Sequence, residues 1–234
     1  MDTADVIREL EALARPGAAE GMARFGIRPR SRVVGVTVTD MRRLAKGIEP
    51  DHGLAAKLWD SGIHEARIMA TLVDVPALVT SRQMDDWAAS FDSWDIVDNA
   101  TGNLFRFTPF ADAKIREWAA RDEEFVRRAA FALVAASCRL KGEPDERFLA
   151  YLPLIRDCAL DRRNFVRKAV NWALREIGKR NVPLNAAAIA AAEEIHTLGG
   201  PARWVASDAL RELRSEQVQA RLALRDQVRA RTPG

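Results

Sequence analysis

The chain has 234 residues, 48% hydrophobic and 29% charged, with a formal net charge of +3 and an isoelectric point near 9.1. That length supports one sizeable core, and no apolar run approaches the roughly 18 residues a membrane span needs. Met1-Asp-Thr-Ala-Asp-Val-Ile-Arg8 reads straight into an amphipathic helix rather than a signal peptide, and Cys138 and Cys158 form no CxxC pair, so a cytoplasmic protein with no membrane partner is expected.

Helical periodicity with short breaks runs along the whole chain. Predicted helices cover residues 3–14, 17–25, 39–47, 52–60, 64–74, 81–91, 94–105, 110–120, 123–139, 144–157, 162–179, 184–196, 201–213 and 215–230. The β-branched run Val33-Val34-Gly35-Val36-Thr37-Val38 is the one strand-like exception. Short and interrupted by glycine, it reads as an extended link ending at a Thr39 or Asp40 cap. Further on, Ser93 or Asp92 is a good N-cap for the helix that Trp94 opens, and Asp95 sits in the first turn, where the helix dipole favours an anion. Trp94 and Asp98 are four residues apart, so an indole and a carboxylate project from the same side. A negative charge beside a ring face suits a cation, or a transition state that gains positive charge. The terminal Arg231-Thr-Pro-Gly234 reads as a frayed end.

A repeat emerges in the third quarter. Phe125-Val-Arg-Arg-Ala-Ala returns 40 residues later as Phe165-Val-Arg-Lys-Ala-Val, and Ala173-Leu-Arg-Glu returns after 36 residues as Ala209-Leu-Arg-Glu. Periods near 40 with two helices each are those of HEAT-like solenoids, in which each helix pair buries its apolar face only against its neighbours. The expected fold is therefore all-α, a superhelical solenoid of HEAT-like helix pairs forming a single domain over residues 1–234. Phe125, Ala129 and Leu133 form one stacking stripe, and Phe165, Ala169 and Ala173 form another. Arg128 and Lys168 sit one step round, which would line up basic side chains along one surface. Charge is distributed unevenly: residues 61–120 hold 5 basic and 9 acidic side chains, and residues 121–180 hold 14 and 9. The latter segment is the candidate phosphate-binding surface.

His52, His64 and His196 are far apart in sequence, no His/Cys/Asp spacing resembles a metal site, and GxGxxG, Walker A and GxSxG motifs are absent. Neither metal nor cofactor is expected, and the histidines read as surface or satisfied core residues. Trp59, Trp87 and Trp118 read as packing between helices. Periodicity alone would also put Trp94 and Trp172 in a core, but each has a charged neighbour at helical spacing, Asp98 and Lys168 respectively. Asp98 stands out further, because a carboxylate within a packed helix needs a partner or a function; a salt bridge to an arginine such as Arg128 would serve structurally.

Taken in order, Gly21-Met-Ala-Arg-Phe25, Gly35-Val-Thr-Val-Thr-Asp-Met-Arg-Arg-Leu44, Leu58-Trp59, Ser93-Trp94-Asp95-Ile-Val-Asp98, Phe125-Val-Arg-Arg128-Ala-Ala and Phe165-Val-Arg-Lys-Ala-Val-Asn-Trp172-Ala-Leu-Arg-Glu176 resemble the DNA alkylation repair family of the AlkD type, HEAT-like DNA glycosylases, from about residue 20 to 213. The resemblance implies a catalytic carboxylate at Asp98, cleft tryptophans at Trp94 and Trp172, a DNA-backbone arginine at Arg128 and an N-terminal aromatic at Phe25. Phe25 stands where the family often has tyrosine. Ala135 and Ala136 stand where a more polar, basic helix end would help to hold DNA. The implied activity is monofunctional hydrolysis of the N-glycosidic bond of positively charged N3- and N7-alkylpurines in duplex DNA, by a monomer, leaving an abasic site. It also implies capture of the lesion without a deep pocket. Two other readings stand beside it: a catalytically inactive HEAT-like protein that binds branched or distorted DNA, and a protein–protein scaffold.

Overall fold

The structure, a computed structural model, describes the backbone of residues 1–231 and the side chains through residue 227. The reading of the C-terminal end falls largely on residues 232–234, outside those described. Two compact units emerge, Met1–Lys114 and Ile115–Gly234. Among the described residues every regular element is helical, and the only β-type pairing is an isolated parallel bridge between Arg32 and Ile63.

In the first unit the helices are α1 (Thr3–Ala12), α2 (Ala18–Arg24), α3 (Val38–Ala45), α4 (His52–Trp59), α5 (His64–Val73), α6 (Ser81–Ala89) and α7 (Trp94–Asn103). Short polar side chains set most of their starts by accepting from orphan amides: Asp2 from Asp5, Asp51 from Leu54 and Thr80 from Gln83. The same rule corrects the expected cap of α3. Thr37 accepts from the Asp40 amide, so the helix begins at Val38 and the extended link ends two residues earlier than a Thr39 cap would allow.

Helix α5 lies at the centre of this unit, packed on α3, α4 and α7 with nearly every side chain buried. Its charged residues are therefore each provided with partners. Arg67, 6% exposed, donates to Asp92 at 3.2 Å and to the Ser90 carbonyl at 2.9 Å, and its guanidinium lies 4.6 Å from the Trp59 ring centroid. Burial pushes the Arg67 pKa down, against the pull of Asp92. Trp59 in turn stacks on Trp87 with ring centroids 3.9 Å apart, and both indoles are buried, as their spacing predicted.

Helix α8 (Ala111–Ala119) spans the boundary between the units. The second unit continues with α9 (Glu124–Ser137), α10 (Asp145–Leu149), α11 (Leu152–Cys158), α12 (Asn164–Gly178), α13 (Val182–Thr197), α14 (Gly200–Leu213) and α15 (Glu216–Arg231). The single helix expected over residues 144–157 is broken in two at Ala150–Tyr151. Pro153, lacking an N–H, fits the first turn of a new helix better than the interior of a long one. The repeat is visible in the packing: α9 lies against α12, Phe125 meets Phe165 at 5.5 Å between ring centroids, and Ala129, Leu133, Ala169 and Ala173 are fully buried.

The recurring Ala-Leu-Arg-Glu segments also meet. Arg175 pairs with Glu212, and the Asn171 amide donates to the Val205 carbonyl at 3.0 Å. At the end of α12, Gly178 lets α13 and α14 close in. A Cβ there would come within 2.6 Å of a Leu213 methyl and 3.0 Å of the Ala188 Cβ. Gly178→Ala is accordingly expected to cost about 1–3 kcal/mol through overpacking, which a shift of the denaturant midpoint would measure.

Candidate functional site

Ser93 has the extended backbone of an N-cap to α7, but its side chain makes no capping bond. Its hydroxyl instead donates to Asp95 Oδ1 at 2.6 Å, while the other oxygen of Asp95 is 2.6 Å from His64 Nε2 on α5. His64 is fully buried, and its Nδ1 has no hydrogen-bond partner among the described residues. Asp95 is thus ionised and fixed. Burial acts to raise its pKa, but the His64 imidazole, the Ser93 hydroxyl and the Ile96 amide outweigh burial and hold it below the ordinary value of 3.8. A depressed folded-state pKa contributes stability above pH 3.8 that is lost as the pH falls through the folded value. Asp95→Asn is expected to cost about 1–3 kcal/mol at neutral pH. Unfolding at stepped pH should show the variant and wild type converging below pH 3.8.

This arrangement anchors the first turn of α7 and so aims the residues around it. The α7 ladder continues as Asn99 donates to the Asp95 carbonyl at 2.9 Å and Asn103 donates to Thr71 on α5 at 3.0 Å. Trp94 and Asp98, both half-buried, line one cavity of about 350 Å³ together with Met22, Ile27, Met41 and Ile68. Trp94 Nε1 donates to the Phe25 carbonyl at 3.0 Å, and the Phe25 ring is 75% exposed. The link to Trp94 runs through the main chain, so phenylalanine makes it as well as tyrosine would. The first unit thus brings Phe25, Trp94 and Asp98 together.

Gly35 and Val36 of the extended link form another wall of this cavity, and residues 34–36 are pinned by Glu65 on α5. That buried carboxylate accepts from the amides of Val34 at 2.9 Å, Gly35 at 2.6 Å and Val36 at 3.4 Å. Neither Glu65 nor the His64–Asp95 pair was singled out by sequence reasoning. Partners 29–31 residues apart leave no local spacing signal, and only a charged residue inside an otherwise apolar helix could have drawn attention to them.

In the second unit Lys168 is exposed and Trp172 is half-buried one turn further along α12. Arg128 on α9 is 6% exposed, and its Nη1 donates to the Phe165 carbonyl at 2.9 Å. The expected line of exposed basic side chains is therefore represented by Lys168, while Arg128 ties one repeat to the next. Ala135 and Ala136 are buried, so packing accounts for their small size. Among the described residues no group of three or more His, Cys, Asp or Glu side chains is arranged to hold a metal ion.

Residues 6–219 match the family model described as DNA alkylation repair enzyme. The chain belongs to the DNA alkylation repair family. No curated protein matches it. One solved structure similar to this DNA alkylation repair family member is described as "A new family of proteins related to the HEAT-like repeat DNA glycosylases with affinity for branched DNA structures". It superposes with a TM-score of 0.73 at 22% identity, over 83% of each chain, and shares the HEAT-like helical fold. Family membership makes this a DNA repair protein.

Proposed function

We propose that this protein is a monofunctional DNA glycosylase that hydrolyses the N-glycosidic bond of cationic N3- and N7-alkylpurines in duplex DNA, acting as a monomer in the cytoplasm. The observation that carries this reading is the placement of Trp94 and Asp98 on one face of α7, in the wall of one apolar cavity, on a turn fixed by His64 and Ser93. In the reaction the C1′–N bond breaks and its electron pair goes to the base, quenching the positive charge of the purine. The sugar is left as an oxocarbenium ion. Asp98 stabilises that cation and orients a water, whose oxygen bonds to C1′ while its proton passes to the Asp98 carboxylate and on to solvent, leaving the abasic site. The face of Trp94 offers cation–π attraction to the lesion, worth about 1–2 kcal/mol when desolvated, and in the second unit the exposed Lys168, with Trp172 one turn along, meets the DNA backbone.

A second reading is favoured by specific observations. Arg128 is buried against Phe165, and the similar solved structure comes from a group described by its affinity for branched DNA. On that reading the protein binds branched or distorted DNA without excising a base. Single-turnover base release from duplex DNA carrying one N7-methylguanine separates the two. Release is the outcome expected of the glycosylase, and salt-sensitive binding without release would replace it by the binder.

A further inference from the structure

The second unit contains a groove of about 850 Å³ that none of the residues discussed for catalysis lines. Its walls are the turn Arg139–Gly142 after α9, the C-terminal end of α12, residues 180–182 and the middle of α15. Six basic and two acidic side chains line it. Three of the basic ones serve the fold. Arg180 donates to the carbonyls of Cys138, Leu140 and Glu143, Arg225 donates to that of Lys179 at 2.8 Å, and Lys179 is 2.8 Å from both Glu176 and Glu212. These contacts offset the negative ends of α9 and α12. The other three, Arg139, Lys141 and Arg221, are exposed, and their side chains have no ion pair or hydrogen bond among the described residues. Against the six cations stand only Glu176, paired with Lys179, and Asp226, so the groove carries an excess of positive charge.

Helix geometry connects this groove to the α12 face already described. Lys168, Trp172, Glu176 and Lys179 follow one stripe, with Lys168 and Lys179 three turns and about 16 Å apart. One strand of B-DNA places about five phosphates along that length. We propose that the groove is a second phosphate-binding surface, holding a nucleic-acid strand that runs from Lys168 along α12, with Arg139, Lys141 and Arg221 as its contacting cations. The inference rests on the DNA-binding part of the reading above and is independent of base excision. Cations at the end of a stripe that also carries an aromatic side chain match spaced phosphates and stackable bases better than they match an acidic peptide.

The test is the salt dependence of affinity for an undamaged duplex and a four-way junction, wild type beside the triple variant Arg139→Gln/Lys141→Gln/Arg221→Gln. Loss of three phosphate contacts should make the slope of log K against log salt shallower by about two to three units. A charge-keeping variant, Arg139→Lys/Arg221→Lys, should retain the wild-type slope and controls for folding. An unchanged slope in the triple variant overturns the groove alone. A wild type with no salt-dependent affinity overturns both the groove and the DNA-binding reading. Binding of labelled polyglutamate that is lost in the triple variant and that DNA does not displace would assign the groove to an acidic protein instead.

Discussion

Replacing Asp98 with asparagine should lower the rate of N7-methylguanine release from duplex DNA by about 10²–10³-fold, the loss typical when one preorganised electrostatic partner of a transition state is removed. Asparagine has nearly the same shape and keeps an oxygen toward the cavity, so the packing of α7 survives the exchange. What disappears is the negative charge, whose interaction with the sugar strengthens only as the glycosidic bond breaks. Duplex affinity should therefore stay close to wild type while the single-turnover rate falls. The neighbouring Asp95 cannot substitute, because both of its oxygens are engaged, one by Ser93 and one by His64. Full excision activity in the Asp98→Asn protein would refute the assigned role.

Glu65→Ala should be the most damaging single change to stability, at about 3–5 kcal/mol. The carboxylate is 1% exposed and accepts from three consecutive amides, so its removal strands donors of which those of Gly35 and Val36 are buried. The link can relax only a little. Gly35 has φ of +94°, and a Cβ there would come within 2.6 Å of the Ala18 Cβ and 2.7 Å of the Arg15 carbonyl, so the chain is hemmed in on the opposite side. At about 2–4 °C per kcal/mol for a chain of this size, the melting temperature should fall by roughly 10 °C. A change of less than 2 °C would show that the three amides find other partners. Glu65→Gln, which keeps one acceptor oxygen, should fall between the two proteins.

Helix positions were legible because the apolar period is strong, and the 40-residue recurrence of Phe125 at Phe165 carried the HEAT-like architecture. The pairing of Trp94 with Asp98 could also be read directly, being a matter of spacing on one helix. What spacing cannot convey is where a side chain goes when its partner is remote. Arg128 and Lys168 occupy equivalent places in the repeat, yet Lys168 reaches solvent, whereas Arg128 finds the open carbonyl of Phe165 in the first turn of the next repeat. His64 likewise looked like an isolated histidine until α5 and α7 were packed together. The break at Ala150–Tyr151 was signalled by Pro153 and was overridden by an apolar period that ran through it.

Helix α5 has a consequence for how the protein can vary. Its apolar side chains face general packing, where one hydrophobic shape can replace another at modest cost. Its three charged or titratable side chains are each matched to a different segment: His64 to the start of α7, Glu65 to the link at residues 34–36, and Arg67 to the turn at Ser90 and Asp92. A drift in the lipophilic half of the helix is thus absorbed locally, whereas a change at His64 or Glu65 detaches a separate piece of the cavity wall, and a change at Arg67 frees the turn at Ser90 and Asp92. The sequence freedom of this helix is the reverse of that of a surface helix, with its polar letters the ones that cannot be exchanged.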